Sequence, residues 1–165
     1  EHAQLVRDED FPRFAALGVS ASVQPEHAMD DRDIAERYWA GLTDRAFALR
    51  SLLDAGAELL LGSDAPVAPL DPWVTIGAAV SRSRDGREPW HPEQKVDFEQ
   101  ALYAYTQAGA SITDWKDQIG SITVGKWADF VVLSGKVPQP LTPAFRDLKV
   151  RYTYFGGRQV YARAP

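Results

Sequence analysis

The chain has 165 residues, 45% of them hydrophobic and 11% aromatic, which is enough material for one sizeable buried core. Its 23 acidic and 18 basic residues leave a net charge of -5 without a long run of either sign. That balance gives no support for a nucleic-acid or anionic-membrane partner and points to a small molecule. There are no cysteines, so disulfides, thiolate metal sites and a cysteine nucleophile are excluded, and any metal site must use histidine and carboxylate.

No apolar run approaches the roughly 18 residues that span a bilayer. The opening Glu1-His2-Ala3-Gln4 carries no basic-then-apolar signal, so export cannot be inferred; the compartment is left unknown, with the cytoplasm as the expectation. The first residue is Glu and the single methionine is Met29, so a processed amino end or a piece of a longer chain is expected.

From Asp8 to Leu17, apolar Phe11, Phe14, Ala15 and Leu17 with Gly18 behind them predict a short helix and its carboxyl cap. Val19, Ala21 and Val23 alternate with Ser20, Ser22 and Gln24 before Pro25, which predicts a strand over 19–24 and a loop over 26–33. A helical region follows over about 34–55, with a break at Gly41, an apolar side of Phe47, Leu49, Leu52, Leu53 and Ala55, and Gly56 as its end. Residues 58–63 read as the next strand. Its three leucines stop at Gly62-Ser63-Asp64-Ala65-Pro66, the pattern of a buried strand delivering one acid into a loop. Strand, helix and strand over 19–64 have the order of a βαβ crossover, whose strands run parallel.

Pro66, Pro69 and Pro72 mark a loop before an apolar helix over 73–82, and a polar surface loop follows over 85–93. Asp97 and Gln100 have the spacing of a capping box, opening a helix that runs to about Ala108. After Gly120 the period changes. Residues 130–133 and 150–155 read as strands, with Gly156-Gly157 as a hairpin turn before Gln159-Val160-Tyr161. Two parallel strands and a fragment of a third cannot close a barrel of eight, which takes roughly 250 residues.

Asp64 has two readings: a side-chain cap for the turn that follows it, or a carboxylate that binds a divalent metal and takes a proton from water. His2 lies too near the end for any periodicity argument. His27 follows the first strand by three residues and emerges at the same rim as Asp64, or else is a solvated loop histidine. His91, between Trp90 and Pro92, reads as structural or surface, and Asp30, Asp31 and Asp33 as a solvated charged loop lacking the glycine and later glutamate of a calcium loop. Met29, Tyr38, Trp39 and Trp73 are candidates to shape an apolar pocket, or else core.

These residues resemble the metal-dependent amidohydrolase superfamily, within it the amidohydrolase 3 group of N-acyl and amide hydrolases. Residues 1–4 look like the end of barrel strand six, Ser22-Val23-Gln24-Pro25-Glu26-His27-Ala28 like strand seven and its loop, and Gly62-Ser63-Asp64-Ala65-Pro66-Val67 like strand eight. Ala101-Leu102-Tyr103-Ala104-Tyr105-Thr106 is similar to the post-barrel helix, and residues 120–133 to the return into a β-sandwich.

The resemblance implies an α/β fold: the carboxyl-terminal part of a (β/α)8 TIM barrel over 1–118, then part of a composite β-sandwich over 119–165. It implies a hydrolase of non-peptide carbon-nitrogen bonds in a small amide or N-acyl substrate, using zinc, iron or manganese. By the same resemblance His2 and Asp64 bind metal, Asp64 is also the general base and acid, and His27 faces substrate. The family's His-x-His pair, its strand-four bridging residue and its strand-five histidine have no counterpart here. Two donors are one short of a secure zinc site, so the chain alone is expected to bind metal poorly and turn over little. Unpaired strand edges imply self-association or pairing with the missing amino-terminal half. The alternative is an inactive fragment or relative serving as a binding or assembly module, with a structural β-rich interaction domain as a third reading.

Overall fold

Pro25 stands just after the first alternating segment and Gly56 just before the leucine run, and these two residues bound the crossover around which the first half of the molecule is built. The computed structural model describes residues 1–139 and 141–164. They form two compact units, one spanning Glu1–Tyr105 and a second beginning at Thr106.

In the first unit, helix α1 (Phe11–Ala16) closes on Gly18, whose φ of 64° only glycine adopts without strain. Strand β1 (Ala21–Val23) follows. The predicted loop over 26–33 is instead helical, as α2 (Pro25–Asp30) and α3 (Arg32–Tyr38). Proline at the first helical position forfeits no hydrogen bond, so Pro25 starts this helix rather than only ending the strand. The predicted break at Gly41 is present, with φ of 79°, and separates α3 from α4 (Leu49–Asp54). Strand β2 (Leu59–Leu61), α5 (Pro72–Ser81) and α6 (Phe98–Tyr105) complete the unit.

β1 and β2 pair in parallel, Ala21 opposite Leu59 and Val23 opposite Leu61. All four of these side chains are buried, as the strand pattern requires. Leu49 and Leu52 of α4 are also buried, each contributing about 1.5–3 kcal/mol of transfer free energy. α2 packs on α5, and α6 packs on both α5 and β2. The capping box forms as read: the Gln100 N–H donates to Asp97 Oδ1 at 2.7 Å, and the Asp97 N–H donates to Gln100 Oε1 at 3.1 Å.

The second unit holds α7 (Gln107–Ser111) and an antiparallel sheet of β3 (Phe130–Leu133), β4 (Val150–Phe155) and β5 (Arg158–Ala162), in that order. Gly156 and Gly157, with φ of 56° and 74°, make the two-residue turn that leaves Phe155 opposite Arg158. Val131, Phe155, Val160 and Tyr161 are exposed on this sheet. Among the described residues the parallel strands number two and no barrel closes.

Candidate metal centre

Three segments converge at the carboxyl ends of β1 and β2. The first is the extreme amino end. The His2 N–H donates to the Ser22 carbonyl at 2.7 Å, and the Glu1 carboxylate accepts from Ser22 Oγ at 2.9 Å and from Gln24 Nε2, so residues 1–2 are tied to β1. Further along, Leu5 bridges Ala46, and the Phe47 N–H donates to the Gln4 carbonyl at 2.8 Å.

Phe47 is in turn held by Arg82, a fully buried side chain whose Nη1 donates to the Phe47 carbonyl at 3.2 Å and whose Nε donates to that of Trp90 at 2.9 Å. Burial pushes the Arg82 guanidinium down to about 10, against the upward pull of Glu93. Its charge is also placed over the Trp90 ring, 5.4 Å from the centroid.

The second segment is the first turn of α2, which carries Glu26 and His27, both buried. The Glu26 carboxylate, 2% exposed, meets Arg84 Nη1 at 2.5 Å, and the same nitrogen lies 2.5 Å from Asp30 Oδ1. Arg84 therefore clamps the helix that presents His27, while Arg87 meets Asp33 at 2.7 Å. The charged stretch 30–33 is thus matched to arginines from the loop after α5. Met29 lies in a buried cluster with Ala35, Ala46, Phe47 and Trp90, and Trp39 packs against it, whereas Tyr38 is exposed.

The third segment follows β2. The Gly62 N–H donates to the Val23 carbonyl at 3.1 Å, extending the parallel ladder by one residue, and Ser63 is buried. Asp64 then turns with φ of 54°. The turn behind it is closed by backbone, the Val67 N–H donating to the Asp64 carbonyl at 2.9 Å. The carboxylate points elsewhere: Asp64 Oδ2 lies 3.2 Å from His2 Nε2.

His2, His27 and Asp64 each offer one ligand atom, and these atoms all lie within 4.8 Å of one another. The two imidazoles stack at 5.8 Å between centroids, with planes 25° apart. His2 and Asp64 are each 41% exposed, whereas His27 is buried and its Nε2 has no hydrogen-bond partner among the described residues. His2, Ala3 and Asp64 all have positive φ, a conformation costly for non-glycine residues that Phe47, Arg82 and His91 also adopt. Two imidazoles and a carboxylate gathered in one cluster are a donor set suited to a borderline divalent ion.

His91 takes no part in this cluster; its Nδ1 lies 2.8 Å from Glu93 Oε1. The supporting roles of Glu1, Gln24 and the Glu26–Arg84 pair are absent from the sequence reading. The only signal for them was the polar run Gln24-Pro25-Glu26 directly before His27.

The Amidohydrolase family model matches residues 1–161. Protein LONG AFTER FAR-RED 3 of Arabidopsis thaliana is 36% identical over 164 residues, which is 98% of this chain and 28% of that protein. An N-substituted formamide deformylase of Arthrobacter pascens is 31% identical over 166 residues, 99% of this chain and 30% of that enzyme. The solved structure of an uncharacterized metal-dependent hydrolase from Pyrococcus furiosus matches with a TM-score of 0.64 at 34% identity, covering 76% of this chain and 25% of that one. The chain thus spans about three tenths of the length of these curated relatives. Together the match over residues 1–161 and these similarities establish that the chain belongs to the amidohydrolase family.

Proposed function

We propose that this chain is the carboxyl-terminal part of a metal-dependent hydrolase that cleaves a non-peptide carbon-nitrogen bond in a small amide or N-acyl compound. The observation that carries the reading is the approach of Asp64 Oδ2 to His2 Nε2 at 3.2 Å, from opposite ends of the βαβ unit. The similarity to a formamide deformylase supports an amide-type substrate. In this reading, residues 1–118 complete a barrel begun outside the chain, and residues 119–165 belong to a composite β-sandwich.

His2 and Asp64 would hold the metal, with zinc, iron or manganese all compatible with one imidazole and one carboxylate. A divalent ion held there would supply Lewis-acid polarisation of the substrate carbonyl and a lowered pKa for water. Asp64 accepts a proton from the attacking water at Oδ2 and returns it to the leaving nitrogen, so one carboxylate serves as base and then as acid. The Asp64 side chain is 41% exposed, which leaves its carboxylate in contact with solvent. His27 faces the substrate in the whole enzyme, held in place by α2.

The test is hydrolysis of simple N-acyl and formamide compounds by the protein carrying these residues, with Asp64→Asn beside it. Loss of a general base costs roughly 100- to 10,000-fold in turnover. Unchanged hydrolysis in the variant would remove Asp64 from the mechanism. A folded protein without activity on any amide, active or not in binding, would favour the assembly-module alternative.

A further inference from the structure

Arg82 is the largest fully buried side chain among the described residues. Its guanidinium meets two backbone carbonyls, that of Phe47 through Nη1 at 3.2 Å and that of Trp90 through Nε at 2.9 Å, and lies over the Trp90 ring. Nη2 is buried with no hydrogen-bond partner among the described residues. A charge in the core carries a desolvation cost that a hydrophobic side chain of the same volume avoids. Filling space therefore does not account for an arginine here; what it adds is directed hydrogen bonds to carbonyls of two different segments.

Each of those segments leads to one of the two site histidines. The Phe47 N–H donates to the Gln4 carbonyl at 2.8 Å, and Leu5 bridges Ala46, so the amino-terminal segment that carries His2 is fastened at Phe47. On the other side the Trp90 N–H donates to the Arg82 carbonyl at 2.8 Å while the Trp90 carbonyl accepts from Arg82 Nε, so residues 83–89 form a loop pinched at its base. From that loop Arg84 reaches Glu26 and Asp30, Arg87 reaches Asp33, and the Glu88 carbonyl accepts from Arg32 at 3.0 Å. Trp90 itself donates from Nε1 to Glu36 at 2.6 Å. All the residues so met belong to α2 and α3, and α2 carries His27.

We propose that Arg82 is a positioning residue that couples the amino-terminal segment bearing His2 to the helix bearing His27, so that the two imidazoles keep their stacked arrangement. The backbone around it bears the same mark. Phe47, Arg82 and His91, the residue after Trp90, have φ of 50°, 55° and 48°, where a non-glycine residue persists only if its surroundings hold it. The Phe47 and Trp90 rings, with centroids 6.0 Å apart, pack beside the same guanidinium. The proposal rests on the hydrolase reading in taking His2 and His27 as site residues; Arg82, being buried, acts only through them.

The experiment is amide hydrogen exchange by NMR on the 165-residue chain and on Arg82→Met, which fills the core while removing both hydrogen bonds, with circular dichroism confirming the fold. In the variant the Phe47 and Trp90 N–H groups should exchange roughly 10-fold faster or more, whereas the Ala21 and Gly62 N–H groups beside the parallel ladder keep their rates. Magnetisation transfer between the His2 and His27 rings, whose centroids stand 5.8 Å apart, should fall several-fold. An arginine that only supports the core would change all these amides together or none, and either result overturns the proposal, as does an unchanged contact between the rings. Should the variant not fold, the wild-type chain in low urea carries the test. There the Phe47 N–H, the Trp90 N–H and Arg82 Nε–H should exchange through one shared opening, with the same urea dependence, while Ala21 and Gly62 stay protected; separate openings for Phe47 and Trp90 overturn the proposal. Neither measurement involves metal or turnover, so the hydrolase reading fails on its own, through Asp64→Asn.

Discussion

His2 Nε2 and Asp64 Oδ2 lie 3.2 Å apart although 62 residues separate them in the chain. The closeness is produced by parallel pairing. β1 and β2 run the same way, so their carboxyl ends share one rim, and the His2 N–H is bonded to the Ser22 carbonyl of β1. What is distant in sequence is thereby adjacent in space, and the residues that do it are Ser22, Val23 and Leu61 rather than either functional side chain.

That geometry depends on α2 staying seated, which makes Arg84 a positioning residue. Replacing Arg84 by Ala removes the guanidinium 2.5 Å from the buried Glu26 carboxylate and from Asp30. Because Arg84 itself is about half exposed, the expected loss is on the order of 1–3 kcal/mol in chemical denaturation. The His27 ring resonances should shift in the folded variant, which a surface ion pair of no consequence would not cause. Arg84→Lys should recover part of the stability, since it restores the positive charge but not the Nη1 that meets both acids.

The capping box offers a test of local structure apart from the site. Asp97→Ala deletes the acceptor of the Gln100 N–H at the start of α6. A cost of about 0.5–2 kcal/mol in thermal or urea unfolding is expected, with the metal affinity of the chain unchanged.

Tyr105 ties stability to alkaline pH. Burial, and then the charge of Asp71, hold its phenol above the ordinary tyrosine value. The folded pKa is raised, so its contribution is complete below the unfolded value near ~10. It is lost as pH rises through the higher folded value, because the unfolded chain releases the proton first. Unfolding free energy should therefore fall more steeply above pH ~10 in the wild-type chain than in Tyr105→Phe, measured by urea denaturation at successive pH values.

Unpaired edges predict association between copies of the chain. Among the described residues no further strand flanks β1 or β2, only the His2 N–H reaching the Ser22 carbonyl, and open hollows of about 410 and 420 Å³ lie beside Leu5, Phe14, Leu17 and Val19 and beside Leu59, Leu61 and Tyr103. Light scattering should show mass rising with concentration. A monodisperse monomer throughout the range would contradict it.

The parts of this architecture legible in the sequence are those whose causes are local. The alternation around Val19–Gln24, the leucine run ending at Asp64, the Asp97/Gln100 pair and the Gly156-Gly157 turn all declare themselves within a few residues. α2 does not, because a six-residue helix is too short to show a 3.6 period and its opening Pro25 equally suits the end of a strand. Of the cluster, His27 and Asp64 were legible as neighbours on one rim from the order of the strands, whereas His2 joined them only through the family resemblance. The burial of His27, its orphaned Nε2 and the clamp from Arg84 belong to packing, which the order of residues does not display.

The most direct measurement is the metal content of the purified chain by inductively coupled plasma mass spectrometry after dialysis against metal-free buffer, with Asp64→Asn treated identically. The account predicts close to one equivalent of zinc, iron or manganese in the wild-type chain and its loss in the variant. A wild-type chain empty of metal, or a variant that retains it in full, would contradict the centre formed around Asp64 and His2.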